Sequence, residues 1–345
     1  FYLTCLKNSS HISKFIYFLL YLSHKIPFVF FPAPDDTSAI RSNLQMKKLL
    51  LFKIRGLLKT ALLFVRIYIM ICSVFLQEDK EMEFMTIQTD FHIHSDFSAD
   101  SHSSMESMIQ EGIRLGLKTM CFTEHLDLDI PGYRQTFETL REKYQSQIEL
   151  LFGIELGLQP HLSAQLQEVL TYAPFDFVIG STHLVNRTDP YYPEYFKDRS
   201  DHEAFRQYFE EVLKNIKSFP HFDTLGHLDY IVRYSPNKSK NYQWTDYRDL
   251  IDPILSFLIQ SDLALEVNTA GLKYGLGQPN PAPEILKRYY QLGGRKITIG
   301  SDAHCPAHLA YDFSTLPVLL NACGFHQYTV YRNRQPYQEN FVSTL

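Results

Sequence analysis

The sequence predicts an α/β fold in which parallel strands alternate with crossover helices. This is the pattern of a barrel related to the eight-fold (β/α) barrel, and an open doubly wound sheet shares it locally. Three observations predict it. From Thr89 onward, seven short β-rich runs alternate with six segments of helical periodicity. Residues that start and stop helices fall at the joins. Six of the fourteen histidines stand at or just beyond the ends of predicted strands, where a barrel gathers its catalytic groups.

Taken in order, the predicted strands cover 89–93, 118–123, 149–155, 175–182, 224–227, 264–268 and 297–301. The predicted helices cover 104–115, 137–147, 161–170, 201–218, 247–261 and 283–293. Ser103 or Ser104 can cap the first helix, and Pro283 sits where a first-turn proline is tolerated. Gly116 and Gly293 lie where helices should stop. The segment 184–200, with Pro190, Tyr191, Tyr192 and Pro193, is a long loop. Loops of that length in compact domains are usually functional, so it is expected to border a site.

Composition narrows the function. With 345 residues, 45% apolar and 21% charged, the chain is neither disordered nor collagen-like. Cys5, Cys72, Cys121, Cys305 and Cys323 form an odd set without a C-x-x-C pair, which points to a reducing, cytoplasmic setting rather than a disulfide framework or zinc ribbon. The net charge of -5 argues against a nucleic-acid partner, since phosphate backbones call for clustered Lys and Arg. Composition carries no signal for oligomeric state.

The composition breaks near Met85. Residues 1–85 carry a net +5 and residues 86–345 a net -10. Residues 86–345 are therefore expected to form the folded α/β domain and residues 1–85 an extension. The longest apolar stretch of that extension, 49–76, is interrupted by Lys53, Arg55, Lys59 and Arg66, which makes it a poor membrane span. A membrane anchor, a targeting or disordered segment, or upstream DNA translated in frame are the readings open for it. The last is favoured, because the chain begins with Phe1 while Met82 and Met85 immediately precede the first strand. A membrane partner is expected only if residues 1–85 form a real anchor.

His92, His94, His125, His183, His227 and His304 share the strand ends with three carboxylates, Asp100, Glu155 and Asp302. Imidazole and carboxylate together suit Zn, Mn or Fe, and a carboxylate can bridge two ions. Nine candidate ligands exceed the need of one ion, so two or three divalent ions are expected. The pairs His92/His94 and Asp302/His304 are two apart, which places both members on one face of an extended strand. The remaining histidines of the domain read as ordinary surface or packing residues, with His102 and His308 the nearest exceptions. Cys121 reads as core, and Cys305, next to His304, as a small buried residue. No P-loop, dinucleotide fingerprint or nucleophile elbow is present.

The ordered set His92-Ile93-His94 with Ser98 and Asp100, Thr123-Glu124-His125, Gly153-Ile154-Glu155, Ser181-Thr182-His183, Gly226-His227-Leu228-Asp229 and Ser301-Asp302-Ala303-His304 resembles the polymerase-and-histidinol-phosphatase (PHP) superfamily of metal-dependent phosphoesterases. The segments around Glu124–Asp127, Gly226–Tyr234 and Leu265–Lys273 are similar to its histidinol-phosphatase branch. The resemblance runs from about Thr89 to about Phe313, and residues 1–85 have no counterpart in it. It implies a distorted (β/α)7, TIM-like barrel with a three-metal centre at the C-terminal ends of the strands. It further implies that His92, His94, Glu155 and Asp302 hold one ion, Glu155, His183 and His227 a second, and Asp100, His125 and His304 a third. The family often has His where Asp100 stands. Lys273 stands where Arg is expected, which keeps the charge and loses the bidentate fork.

The activity so implied is phosphomonoester hydrolysis, with L-histidinol phosphate of histidine biosynthesis as the favoured small-molecule substrate. A nucleotide or sugar phosphate is the alternative, and a non-catalytic metal-binding module is the alternative from another class. A phosphate dianion repels hydroxide, so the site has to supply positive charge. Arg233 and Lys273 are the candidates to neutralise the equatorial oxygens, and Asp229 is a candidate to protonate the leaving alkoxide. Arg187, Arg199 and Arg206 read as surface charge. Asp127, Asp129, Tyr191 and Tyr230 are candidates to meet an amine and an imidazole.

Overall fold

The computed structural model describes residues 84–125 and 130–344. The readings of residues 1–83 and the candidates Asp127 and Asp129 lie outside the described residues. In chain order the elements are β1 (Phe84–Thr86), β2 (Thr89–Ile93), α1 (Met105–Leu115), β3 (Thr119–His125), α2 (Ile130–Tyr144), β4 (Glu149–Gly157), α3 (Ser163–Tyr172), β5 (Phe177–Ser181), α4 (Asp201–Ser218) and β6 (Thr224–Leu225). Then follow α5 (Arg248–Gln260), β7 (Ala264–Asn268), α6 (Ala270–Lys273), α7 (Pro283–Gln291), β8 (Ile297–Gly300), α8 (Leu316–Cys323), β9 (Gln327–Arg332), β10 (Gln335–Asn340) and β11 (Val342–Thr344). Among the described residues no helix is long and apolar enough to cross a membrane.

Strands β2 to β8 form one parallel sheet in chain order. It is nearly closed: Ile93 bridges Ala303 beyond the end of β8, with His94 N donating to Ala303 O at 2.9 Å. The strands are buried on both faces, since helices cover the outside and side chains fill the inside, so they read as near-continuous apolar runs. Each helix is bounded by local chemistry. The Ser104 side chain accepts from Ser107 N at the start of α1, and Gly116 stops it in the left-handed region at φ 81°. Ser200 and Glu203 make a reciprocal capping box on α4.

Two features lie outside the predicted seven-repeat pattern. A C-terminal helix and hairpin (α8, β9, β10) follow the last barrel strand, and β1 pairs antiparallel with β11. The strand Phe84–Thr86 straddles the compositional boundary, so the folded unit takes in Phe84 and Met85 as well as residues 86–345.

Candidate active site

The site is set by where the strands end. In β2, Ile93 points into the core while His92 and His94 lie on the opposite face, all three fully buried. The β3–β4 register places His125 beside Glu155. His183 lies two residues beyond β5, and His227 follows the two-residue β6. Gly300 ends β8 where a Cβ would come within 2.3 Å of His92 Cβ and 2.7 Å of Glu266 Oε1, so only glycine lets β8 approach the ligand layer. Asp302 then adopts φ 53°, a left-handed conformation uncommon outside glycine, of the kind that collects at functional sites. Lys273 Nζ, donating to Asp302 O at 3.1 Å, fixes that turn.

Glu155 is the hub. Its Oε1 lies 3.0 Å from His227 Nε2 and 3.2 Å from His183 Nε2. Its Oε2 lies 3.1 Å from His92 Nε2, 3.4 Å from His94 Nε2 and 3.3 Å from His125 Nδ1. Asp302 Oδ1 stands 3.6–3.8 Å from the rings of His92, His94 and His304. On the rim, Asp100 Oδ2 lies 3.1 Å from His304 Nε2 and 3.8 Å from His125 Nε2. Three groups gather donor atoms within 4.8 Å of one another: His92/His94/Glu155, Glu155/His183/His227 and His94/His125/His304.

This set fits divalent metal ions. The buried His94 Nε2 has no hydrogen-bond partner among the described residues, an arrangement that a packed interior avoids unless the lone pair is used. Burial drives the Glu155 and Asp302 carboxyls up, but the surrounding imidazoles outweigh it and hold both well below the usual range. Burial, reinforced by His125 and His304, holds His94 well below the usual imidazole range. Ionised carboxylates and a neutral imidazole are the forms that ligate.

Behind these groups sit acids to which the sequence reading gave no role. Glu266 Oε1 lies 2.5 Å from His92 Nδ1 and its Oε2 accepts from His227 N at 2.7 Å, so one buried carboxylate orients two histidines. Its place two residues before the end of β7, on the face shared with Asn268, is the signal that could have found it. Glu124 accepts from Ser95 Oγ and Ser98 Oγ, and Ser98 Oγ in turn lies 3.1 Å from His94 Nδ1.

A cavity of about 590 Å³ opens over the site, lined by seven of the nine groups, while His92 and His94 are fully buried. Arg233 lines it, with Nη1 3.3 Å from Asp302 Oδ2. Tyr191 and Tyr230 line it, as do Asp189 and Tyr234, which the sequence reading left without a role. Lys273 is not among the lining residues, because its ammonium is turned to the Asp302 carbonyl. Asp229, expected as a proton donor, is fully buried outside the cavity: Oδ1 accepts from Asn280 Nδ2 at 2.5 Å and Oδ2 from Ala282 N at 2.9 Å. A carboxylate committed to those donors cannot reach a leaving group, and it instead ties the turn after His227 to the segment leading into α7. Burial pushes its carboxyl up to about 6. Arg199 donates to Tyr195 O, Arg206 pairs with Asp249, and Arg187 is exposed on a turn, so none of the three faces the cavity.

The model of the PHP domain matches residues 90–270. The chain is 31% identical over 253 residues to a histidinol-phosphatase of Lactococcus lactis, an alignment covering 69% of this chain and 92% of the relative. The fold is similar to the crystal structure of the histidinol phosphate phosphatase of Lactococcus lactis complexed with zinc, L-histidinol and phosphate. That comparison has a TM-score of 0.67 and 29% identity, and covers 72% of this chain and 98% of the other.

Proposed function

The chain belongs to the PHP-domain family, and on that premise we propose that it is a metal-dependent phosphomonoesterase hydrolysing L-histidinol phosphate to L-histidinol and phosphate in histidine biosynthesis. One observation carries the reading: a single buried carboxylate, Glu155, shared among five imidazoles at the floor of a cavity whose wall presents an arginine.

His92, His94, Glu155 and Asp302 hold one ion, Glu155, His183 and His227 a second, and Asp100, His125 and His304 a third. His94 falls in two of the three donor groups, yet one ring nitrogen serves one ion. Assigning it to the Glu155 group leaves Asp100 to complete the outer set. Zn, Mn and Fe all suit these donors. Such ions supply positive charge and a lowered water pKa at the phosphate.

Arg233 donates to the phosphate oxygens from the cavity wall, and Lys273 acts one layer back by holding the Asp302 turn. Asp189, Tyr191 and Tyr230 offer a carboxylate and aromatic faces to the amine and imidazole of histidinol. A cytoplasmic location suits the unpaired Cys121, Cys305 and Cys323.

The test is phosphate release from L-histidinol phosphate against a panel of other phosphomonoesters, with Zn, Mn or Fe added and with a chelator control. Preference for histidinol phosphate, lost on chelation and in His94→Ala, is the expected outcome. Metal-dependent turnover of a nucleotide or sugar phosphate instead replaces the substrate, and no turnover of any ester overturns the enzyme reading.

A further inference from the structure

Among the described residues Arg233 is the one guanidinium in the cavity wall, and its surroundings are aromatic. Its Cζ lies 4.2 Å from the ring centroid of Tyr230 and 4.9 Å from those of Tyr234 and Tyr274. The side chain is only 10% exposed, and its Nε is buried without a hydrogen-bond partner among the described residues. Tyr230 and Tyr234 come from the same short helical turn as Arg233 and are joined by a 3.0 Å hydroxyl bond. Tyr274 comes from elsewhere, just after α6, and is 46% exposed at the cavity mouth. Lys273 Nζ, from the same turn, lies 5.0 Å from its ring centroid.

The Tyr274 backbone carbonyl is held by a strap from outside that turn. Lys238 Nζ donates to Tyr274 O at 3.1 Å. The Lys238 segment is in turn fastened to the first turn of α4, where Asp201 accepts from Ser235 Oγ, Asn237 Nδ2 and Asn241 Nδ2, each at 2.9 Å. The backbone that carries the third wall of the cage is thus tied to a lysine outside the cavity.

We propose that Tyr274 and Lys238 are positioning residues that close a three-tyrosine cage around Arg233 and hold its guanidinium ready for the phosphate. The inference rests on the phosphomonoesterase reading above. A cation held over ring faces keeps its charge and its free N–H groups without a competing carboxylate on every side, and a preorganised guanidinium loses less freedom when it binds. Because the arrangement exists before substrate arrives, its contribution falls on phosphate binding, hence on KM.

The experiment compares Tyr274→Ala, Tyr274→Phe and Lys238→Met with the wild type, using the full metal-loaded chain. Affinity for inorganic phosphate is read by calorimetry, kcat and KM by turnover, and bound metal by elemental analysis. Tyr274→Ala is expected to weaken phosphate binding and raise KM by about ten-fold, and Lys238→Met by about three-fold, at constant metal content. Tyr274→Phe keeps the ring and retains phosphate affinity. A merely structural role lowers the active fraction and leaves KM and phosphate affinity alone.

Unchanged phosphate affinity in Tyr274→Ala, or a loss in Tyr274→Phe as large as in Tyr274→Ala, overturns the proposal. Lys238 is exposed, so Lys238→Met decides the matter if Tyr274→Ala does not fold. A wild type that binds phosphate without turning over histidinol phosphate overturns the assigned substrate alone, and the phosphate affinities still decide the cage.

Discussion

The two ends of the barrel both gather acids, and they treat them in opposite ways. At the N-terminal end, Asp176 accepts from Phe152 N at 2.9 Å and Asn333 N at 3.0 Å, and Asp223 accepts from Val178 N at 2.8 Å and Arg334 Nε at 3.0 Å. Glu149 takes Arg332 in two bonds of 2.6 Å and Thr119 Oγ1 at 2.8 Å. The hairpin turn between β9 and β10 brings both arginines. At the C-terminal end, Glu155 and Asp302 face imidazoles, buried ring nitrogens lack partners, and Asp302 sits in a left-handed conformation. A saturated polar network stabilises, whereas an unsaturated one marks the place where a ligand belongs.

The largest expected effect separates the ends outright. Glu155→Gln removes the shared carboxylate and is expected to cut kcat/KM on the order of 10³-fold, with bound metal falling in parallel while cooperative unfolding persists. Elemental analysis beside a turnover assay and a urea transition checks this; retained activity breaks the assignment of that end. The mirror experiment is Arg334→Met, which leaves the nearly buried Asp223 without its cation. A loss of about 2–4 kcal/mol in urea unfolding is expected, with kcat per folded molecule unchanged, and Asp223→Asn in the same chain should restore part of it. If Arg334→Met instead abolishes turnover at constant stability, the two ends are not separable.

Glu266 sharpens the comparison, because it is a saturated acid at the unsaturated end. Glu266→Gln is expected to weaken metal affinity about 10–100-fold, read by chelator competition, through the lost hold on His92 Nδ1. An unchanged affinity would make it a packing residue like its counterparts at the other end.

The C-terminal end was the more legible in the sequence. Ligands stand two apart on strands, and all seven barrel strands and all six helices lie where apolar runs, caps and stops place them to within a few residues. The largest displacement is α2, which begins at Ile130 rather than at 137. Pro131 falls in the first turn of α2, where a proline is tolerated, so the helix starts before the stretch whose periodicity predicts it. The hairpin end was silent. Its turn is Asn333-Arg334, both at positive φ (51° and 61°), where Asn-Gly is the usual signal. An arginine in that conformation is recognisable only once its bonds to Asp223 are known, since those offset the backbone strain. Asp229 misled for the same reason, because a carboxylate beside a ligand histidine reads as chemistry until its hydrogen-bond donors are located.

The smallest expected effect concerns Glu149 and pH. Burial pushes its carboxyl up, but the bonds from Arg332 and Thr119 outweigh burial and hold it below its ordinary value of 4.5. A carboxyl depressed in the folded state binds fewer protons there than in the unfolded chain, so its stabilisation is present above pH 4.5 and is lost as pH falls through the lower folded value. Glu149 and Arg332 are about one-third exposed, so solvent screens the pair and its contribution is about 0.5–1 kcal/mol. The stability difference between wild type and Glu149→Gln should therefore be constant from pH 7 down to about 5 and narrow below that. Paired urea transitions at descending pH measure it. A difference that persists undiminished under acid would mean that Glu149 acts through packing rather than charge, and would leave the electrostatic fastening of the hairpin to Asp223 with Arg334 and to Asp176 with the Asn333 amide.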